Sequence, residues 1–96
     1  MRVIINKSQE KITIAVEGNL EATAIKTFND KIAQITEFNK SVEVDMANVE
    51  YVDSSGIRAL LSLSKKVKES GHAFSLINCS ENVKRILKLT TINEIR

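Results

Sequence analysis

The sequence predicts an α/β fold: a small mixed β-sheet built in the order β-β-α-β-α-β-α, with the later strands parallel and the helices packed on the sheet. Three observations lead there. Ile12, Ile14 and Val16, and later Val42, Val44 and Met46, sit at every second position, the period of a half-buried strand. Ile25, Phe28, Ile32 and Ile35, and then Ile57, Leu60, Leu61, Ser64 and Val67, recur at helical spacing. After an opening strand pair, strand and helix segments alternate, so successive strands are joined through helices by right-handed crossovers and run parallel.

The elements follow in order. Residues 3–6 and 12–16 form an opening hairpin joined by the polar stretch Lys7-Ser8-Gln9-Glu10. Gly18-Asn19 marks a turn. The first helix is expected over residues 21–38, with Glu21 in its first turn at the positive end of the macrodipole and Asn39-Lys40-Ser41 ending it. Residues 42–46 form the central strand, after which Val49 and Val52 carry the chain back against the core. A second helix runs from Ser54 or Ser55 to Glu69, with Lys65, Lys66 and Lys68 at its negative end. Ser70-Gly71 stops it, Gly71 suiting the left-handed position after a helix. Ala73, Phe74, Leu76 and Ile77 make a further strand. Ser80 caps a third helix that carries Glu81 in its first turn and Val83, Ile86 and Leu87 on one face. Residues 90–96 form a tail pinned by Ile92 and Ile95.

Composition narrows the function classes. Ninety-six residues, 43% hydrophobic and 27% charged, are read as one globular domain without repeats, linkers or low-complexity segments. A net charge of +2 is too small and too dispersed for nucleic acid or an anionic membrane, and 4% aromatics offer no stacking platform. Cys79 alone cannot form an internal disulfide or a Cys-based metal site, and His72 is the only histidine. No apolar run approaches the ~20 residues needed to span a bilayer. The first residues turn polar too early for a signal-peptide core, so the expected compartment is the cytoplasm.

The stretch with chemical potential is Asp53-Ser54-Ser55-Gly56, placed where a strand passes through a short loop into a helix. Asp and Ser side-chain oxygens accept bonds from the unpaired first-turn amides, so one reading is a capped helix start and nothing more. The other makes Ser54 a phosphoacceptor. A phosphoserine adds roughly −1.5 to −2 charges at pH 7. The helix dipole favours that charge by about 0.3–1 kcal/mol, and Asp53 opposes it, so the modification alters surface potential more than fold. A hydrolase nucleophile elbow needs Gly-x-Ser-x-Gly and a histidine base; the first glycine is missing and His72 lies beyond the far end of the helix. The Gly-rich phosphate loop ending in Gly-Lys-Ser/Thr is absent too. Cys79 reads as a small packed residue, His72 as an exposed turn residue, and the lysines of the second helix as a solvated face.

At Asp53-Ser54-Ser55-Gly56-Ile57 the sequence resembles the STAS family, the sulfate transporter and anti-sigma factor antagonist domains. The likeness extends over nearly the whole chain. Gly18-Asn19-Leu20-Glu21 resembles the family's Gly-Glu-Leu-Asp segment, residues 42–52 its central strand and approach loop, and Asn78-Cys79-Ser80-Glu81-Asn82-Val83-Lys84-Arg85-Ile86-Leu87 its Asn-x-Ser-x-x-Val-x-Arg-x-Leu segment. The resemblance implies an anti-sigma factor antagonist, itself no enzyme and with no cofactor of its own, that works by partner switching. Its dephosphorylated form would bind an anti-sigma factor that is also a serine kinase, releasing a sigma factor. That kinase would use ATP to phosphorylate Ser54, and a metal-dependent serine phosphatase would restore the active form. Asp53 would shape the site, and Ser55, Gly56 and Ile57 would present the helix start.

The sequence also departs from the family pattern. Asn19 replaces an acidic residue and Glu21 an aspartate on the partner-facing segment, and Arg58 stands where many antagonists have glycine. Against the family pattern, the stop at Arg96 is expected to leave a final helix or strand missing or abbreviated. Two other roles remain open from sequence: a STAS adaptor subunit of a transporter ATPase, such as a lipid-transport system, or of another signalling complex, and a nucleotide-binding or hydrolysing protein.

Overall fold

Four strands form one sheet in the order β1-β2-β3-β4. In the computed structural model, which describes residues 1–90 together with Ile92 and Ile95, these are β1 (Arg2–Lys7), β2 (Lys11–Glu17), β3 (Ser41–Asn48) and β4 (Phe74–Ile77). The helices are α1 (Ile25–Ile32), α2 (Ser54–Glu69) and α3 (Glu81–Leu87). β1 runs antiparallel to β2, and β2, β3 and β4 run parallel to one another. The predicted element order and mixed sheet are those observed.

The register aligns apolar positions across the sheet. Val3 faces Val16 and Ile5 faces Ile14; Ile14 faces Val44, which in turn faces Leu76. Ile14, Val44 and Leu76 are wholly buried, and burying such a side chain is worth about 1.5–3 kcal/mol. Helices α1 and α2 lie in successive crossovers of the same sense, which the right-handed rule puts on one face. Accordingly α1 packs on β1 and α2, and α2 packs on β4. The other face carries polar pairs: Lys11 Nζ meets Glu43 Oε1 at 2.8 Å, and Arg2 faces Glu17.

Helix α2 is bounded as its sequence predicts. Asp53 is the N-cap, with its side chain accepting from the Gly56 N–H. At the other end Gly71 adopts φ +83°. Its N–H donates to the Lys68 carbonyl and that of His72 to the Val67 carbonyl, the paired bonds of a Schellman stop. His72, expected to be exposed, is half-buried by that arrangement. Ser80 caps α3 by accepting from the Val83 N–H at 3.2 Å. Ile92 is buried and Ile95 bridges Leu76 in parallel, so both pin the tail as expected. The remaining tail positions, Thr91, Asn93, Glu94 and Arg96, lie outside the described residues.

The first helix differs most from expectation. It covers Ile25–Ile32 only, not residues 21–38, and its N-cap Ala24 supplies no side-chain bond. Glu21 therefore precedes the helix, in a turn closed by the Ala24 N–H donating to the Glu21 carbonyl at 2.8 Å. The cause is competition for backbone bonds: the Leu20 N–H donates to the Tyr51 carbonyl, and the Leu20 carbonyl accepts from the Asp53 N–H. A segment so tied to a second loop cannot also nucleate a helix. At the other end the Gln34 and Ile35 N–H groups reach back three residues, tightening the last turn before the chain leaves for β3. Ile35 stays buried without being helical. Among the described residues, no helix is long and apolar enough to cross a membrane.

Candidate functional site

The site forms where the loop entering α1 meets the loop entering α2. Beyond the last full β2–β3 pair the two loops continue to hold each other. The Gly18 N–H donates to the Asn48 carbonyl at 3.0 Å, and Leu20 bridges Val52 in parallel. Asn19 Oδ1 accepts from two successive amides, Glu50 and Tyr51, both at 3.1 Å. From α3, Asn82 Nδ2 donates to the Glu50 carbonyl at 2.9 Å. Val49 and Val52 are buried beneath, as the sequence predicts, while Glu50 and Tyr51 project outward.

Asp53 is the junction. Its Oδ1 accepts from the Gly56 N–H at 3.0 Å, and its Oδ2 accepts from the Ala22 N–H at 2.9 Å. One carboxylate thus caps α2 and holds the turn before α1. The Gly56 N–H, with those of Ala22 and Ser55, keeps the Asp53 carboxyl below the usual carboxylate value, against the opposing effect of burial. Asp53 is therefore ionised at neutral pH.

The following residues divide by exposure. Ser54, the first residue of α2, is exposed, and its hydroxyl has no hydrogen-bond partner among the described residues. Ser55 and Ile57 are half-buried, Ile57 against the core, and Arg58 is exposed. Gly56 is buried for a steric reason. A Cβ there would run into the Leu20 carbonyl oxygen and come within 2.8 Å of both Leu20 Cβ and Val52 Cγ1. Only glycine lets the first turn of α2 lie this close to the neighbouring loop. Beside it, a groove of about 380 Å³ opens between α1 and α2, lined by Ile25 and Asn29 on one side and Ser55, Arg58 and Ser62 on the other.

The structure thus gathers Asn19, Asp53, Ser54, Ser55, Gly56, Ile57 and Arg58 at one end of the sheet, with Glu21 in the adjoining turn. Asn19 uses its side-chain oxygen to order residues 50 and 51 of the facing loop. Two residues at this end escaped the sequence reading. Tyr51 is 45% exposed, an aromatic ring three residues before Ser54 whose main chain is held by Asn19 and Leu20. Asn82 reaches the loop from a helix 32 residues away, which no local pattern signals.

Chemically, the site is an accessible hydroxyl on a rigid helix start. No imidazole stands beside Ser54: the one histidine, His72, follows the far end of α2, a helix of 16 residues, or about 24 Å. The neighbouring Asp53 carboxylate is occupied by the Gly56 and Ala22 amides. Among the described residues no cluster of three or more His, Cys, Asp or Glu side chains could hold a metal ion. Cys79 is buried, and that burial pushes its thiol upward in pKa, which makes it a packed residue without a reactive thiolate.

Residues 2–96 match the STAS domain family. The chain is 22% identical over 95 residues to the anti-sigma-B factor antagonist of Bacillus subtilis (strain 168), covering 99% of this chain and 87% of that protein. The fold is similar to that of a Planctomyces limnophilus anti-sigma-factor antagonist (STAS) domain protein, with TM-score 0.83, 22% identity, and coverage of 96% of this chain and 83% of that one. It is similar also to the Bacillus anti-sigma factor antagonist SpoIIAA, at 16% identity in both forms. In the unphosphorylated form the TM-score is 0.79, with 99% of this chain and 86% of that one covered. In the phosphorylated form it is 0.75, with 99% and 89% covered.

Proposed function

The chain belongs to the STAS domain family, and on that premise we propose that it is an anti-sigma factor antagonist switched by phosphorylation of Ser54. The reading makes it a binding protein rather than an enzyme. In its dephosphorylated form it docks the Ser54 end on an anti-sigma factor that is also a serine kinase, and the sigma factor is released. The kinase transfers the γ-phosphoryl group of ATP to Ser54: a new bond joins phosphorus to Oγ, the bond to ADP breaks, and the hydroxyl proton leaves to the kinase. A metal-dependent serine phosphatase reverses the modification.

The observation that carries this reading is the exposed Ser54 hydroxyl, unengaged among the described residues, at the first position of a helix whose start is locked by Asp53. A phosphate there adds about −1.5 to −2 charges beside a carboxylate already ionised. The helix itself tolerates that anion, so the fold survives while a docked partner is repelled. The names of two similar proteins, an anti-sigma-B factor antagonist and SpoIIAA solved in both phosphorylation states, support the same assignment.

Incubation with the cognate kinase and ATP, followed by mass-spectrometric mapping, tests the acceptor. Phosphate is expected on Ser54; its placement on Ser55, or nowhere, overturns the assignment. In a binding titration, Ser54→Ala should hold the anti-sigma factor as tightly as wild type, and Ser54→Asp should bind poorly. Equal binding by all three proteins would eliminate charge as the switch. Capture of a transporter ATPase subunit instead, with no affinity for any anti-sigma factor, would favour the adaptor role.

A further inference from the structure

We propose that Arg58 is the built-in counter-ion of a phosphate on Ser54, pairing with it across one turn of α2 and holding it against the helix start. This rests on the reading of Ser54 as phosphoacceptor. Ser54 and Arg58 are both exposed and stand four residues apart on a 16-residue helix. Side chains at that spacing share a helix face, and an acidic group N-terminal to a basic one is the favourable orientation.

The surrounding charges make Arg58 distinctive. From Ser54 to Ser64 it is the only charged residue of the helix. Asp53, adjacent to Ser54, is ionised, and its oxygens are taken by the Gly56 and Ala22 amides. Glu21 and Glu50, in the two loops that meet here, add further negative charge. Lys26 is engaged by Asp30 at 2.9 Å, and the lysines of α2 begin only at Lys65. Along α2, Arg58 is therefore the one cation within a turn of a phosphate on Ser54, besides the helix amides. A guanidinium can grip two phosphate oxygens at once, which an ammonium cannot.

Before modification, Arg58 lines the groove between α1 and α2 beside Ser55 and Ile25. Turning to the phosphate would withdraw it from that groove. Modification of one serine then changes two things a partner meets: the charge at the helix start and the wall of the adjoining groove.

The test uses full-length protein carrying phosphoserine at position 54, introduced during synthesis so that no kinase is needed. The second ionisation of the phosphate, ordinarily near 6, is followed by ³¹P NMR. With Arg58 present its midpoint should lie about 0.4 pH unit below that of R58Q. R58K should fall between the two, and K65Q should titrate as wild type. Equal midpoints for wild type and R58Q overturn the pairing, as does a K65Q shift matching that of R58Q, which would reveal only a general field. Either result leaves the phosphoacceptor assignment standing. Failure of the kinase to label Ser54 in the native protein is a separate outcome that would remove the premise.

Discussion

The carboxylate of Asp53 joins two segments that the chain separates by 31 residues: Oδ2 accepts the Ala22 N–H at 2.9 Å while Oδ1 caps α2 through Gly56. The helix start that presents Ser54 and the turn that leads into α1 are thereby one unit, and disturbing either disturbs both.

Replacing Asp53 should therefore cost more than losing a simple cap. Ser80 is a cap with one side-chain bond, and Ser80→Ala is expected to lower stability by about 1 kcal/mol. Asp53→Ala should exceed that loss in urea unfolding, and hydrogen exchange should accelerate at both Ala22 and Gly56. Acceleration at Gly56 alone would mean that the clasp on Ala22 carries no weight.

The same carboxylate gives a pH dependence of known sign. Its folded value lies below the ordinary one near 3.8, because the Gly56 N–H and its neighbours favour the charged form. The unfolded chain thus takes up the proton first. The stabilisation is complete above the unfolded value and is lost as pH falls through the folded one. The stability difference between wild type and Asp53→Asn should be constant at neutral pH and shrink on acidification below about pH 4. A difference that widened there would contradict the assignment.

Gly56→Ala should be destabilising even though alanine is the better helix former. The added methyl group meets the backbone carbonyl of Leu20, which the β2–β3 loop pairing holds in place. Overpacking of this kind costs roughly 1–3 kcal/mol, and each kcal/mol lowers the melting temperature of a domain this size by about 4–8 °C. An unchanged or raised melting temperature would show that the two loops yield easily.

Asn19→Ala removes the acceptor shared by the Glu50 and Tyr51 amides. The expected loss is about 0.5–1.5 kcal/mol, with faster exchange at those two amides and an unaltered cap at Gly56. Asn19→Asp keeps an acceptor oxygen at that position and should retain most of the order. On the function proposed above, binding of an anti-sigma factor should weaken for Asn19→Ala, because the loop that leads to Asp53 and Ser54 loses the acceptor that orders it.

The strands and α2 were legible in the sequence because their causes are local. Alternation at Ile12, Ile14 and Val16 and at Val42, Val44 and Met46 carries the period of a strand wherever it is placed. Helix α2 has its cap at Asp53, its apolar stripe and its stop at Gly71 written into consecutive residues. The position of Ser54 at a helix start follows from those same signals. The length of α1 does not. Ile35 continues the helical period of Ile25, Phe28 and Ile32, yet the backbone groups at Leu20 and Ala22 are bonded to Tyr51 and Asp53, and after Ile32 the chain tightens through Gln34 and Ile35 before it leaves for β3. The bonds of Asn19 to residues 50 and 51 and the reach of Asn82 to Glu50 were likewise hidden, since each spans more than 30 residues. Periodicity and capping thus determined which elements exist and where the exposed serine sits. Which residues hold that serine's surroundings rigid was decided by hydrogen bonds that exist only after the sheet has brought the β2–α1 and β3–α2 loops together.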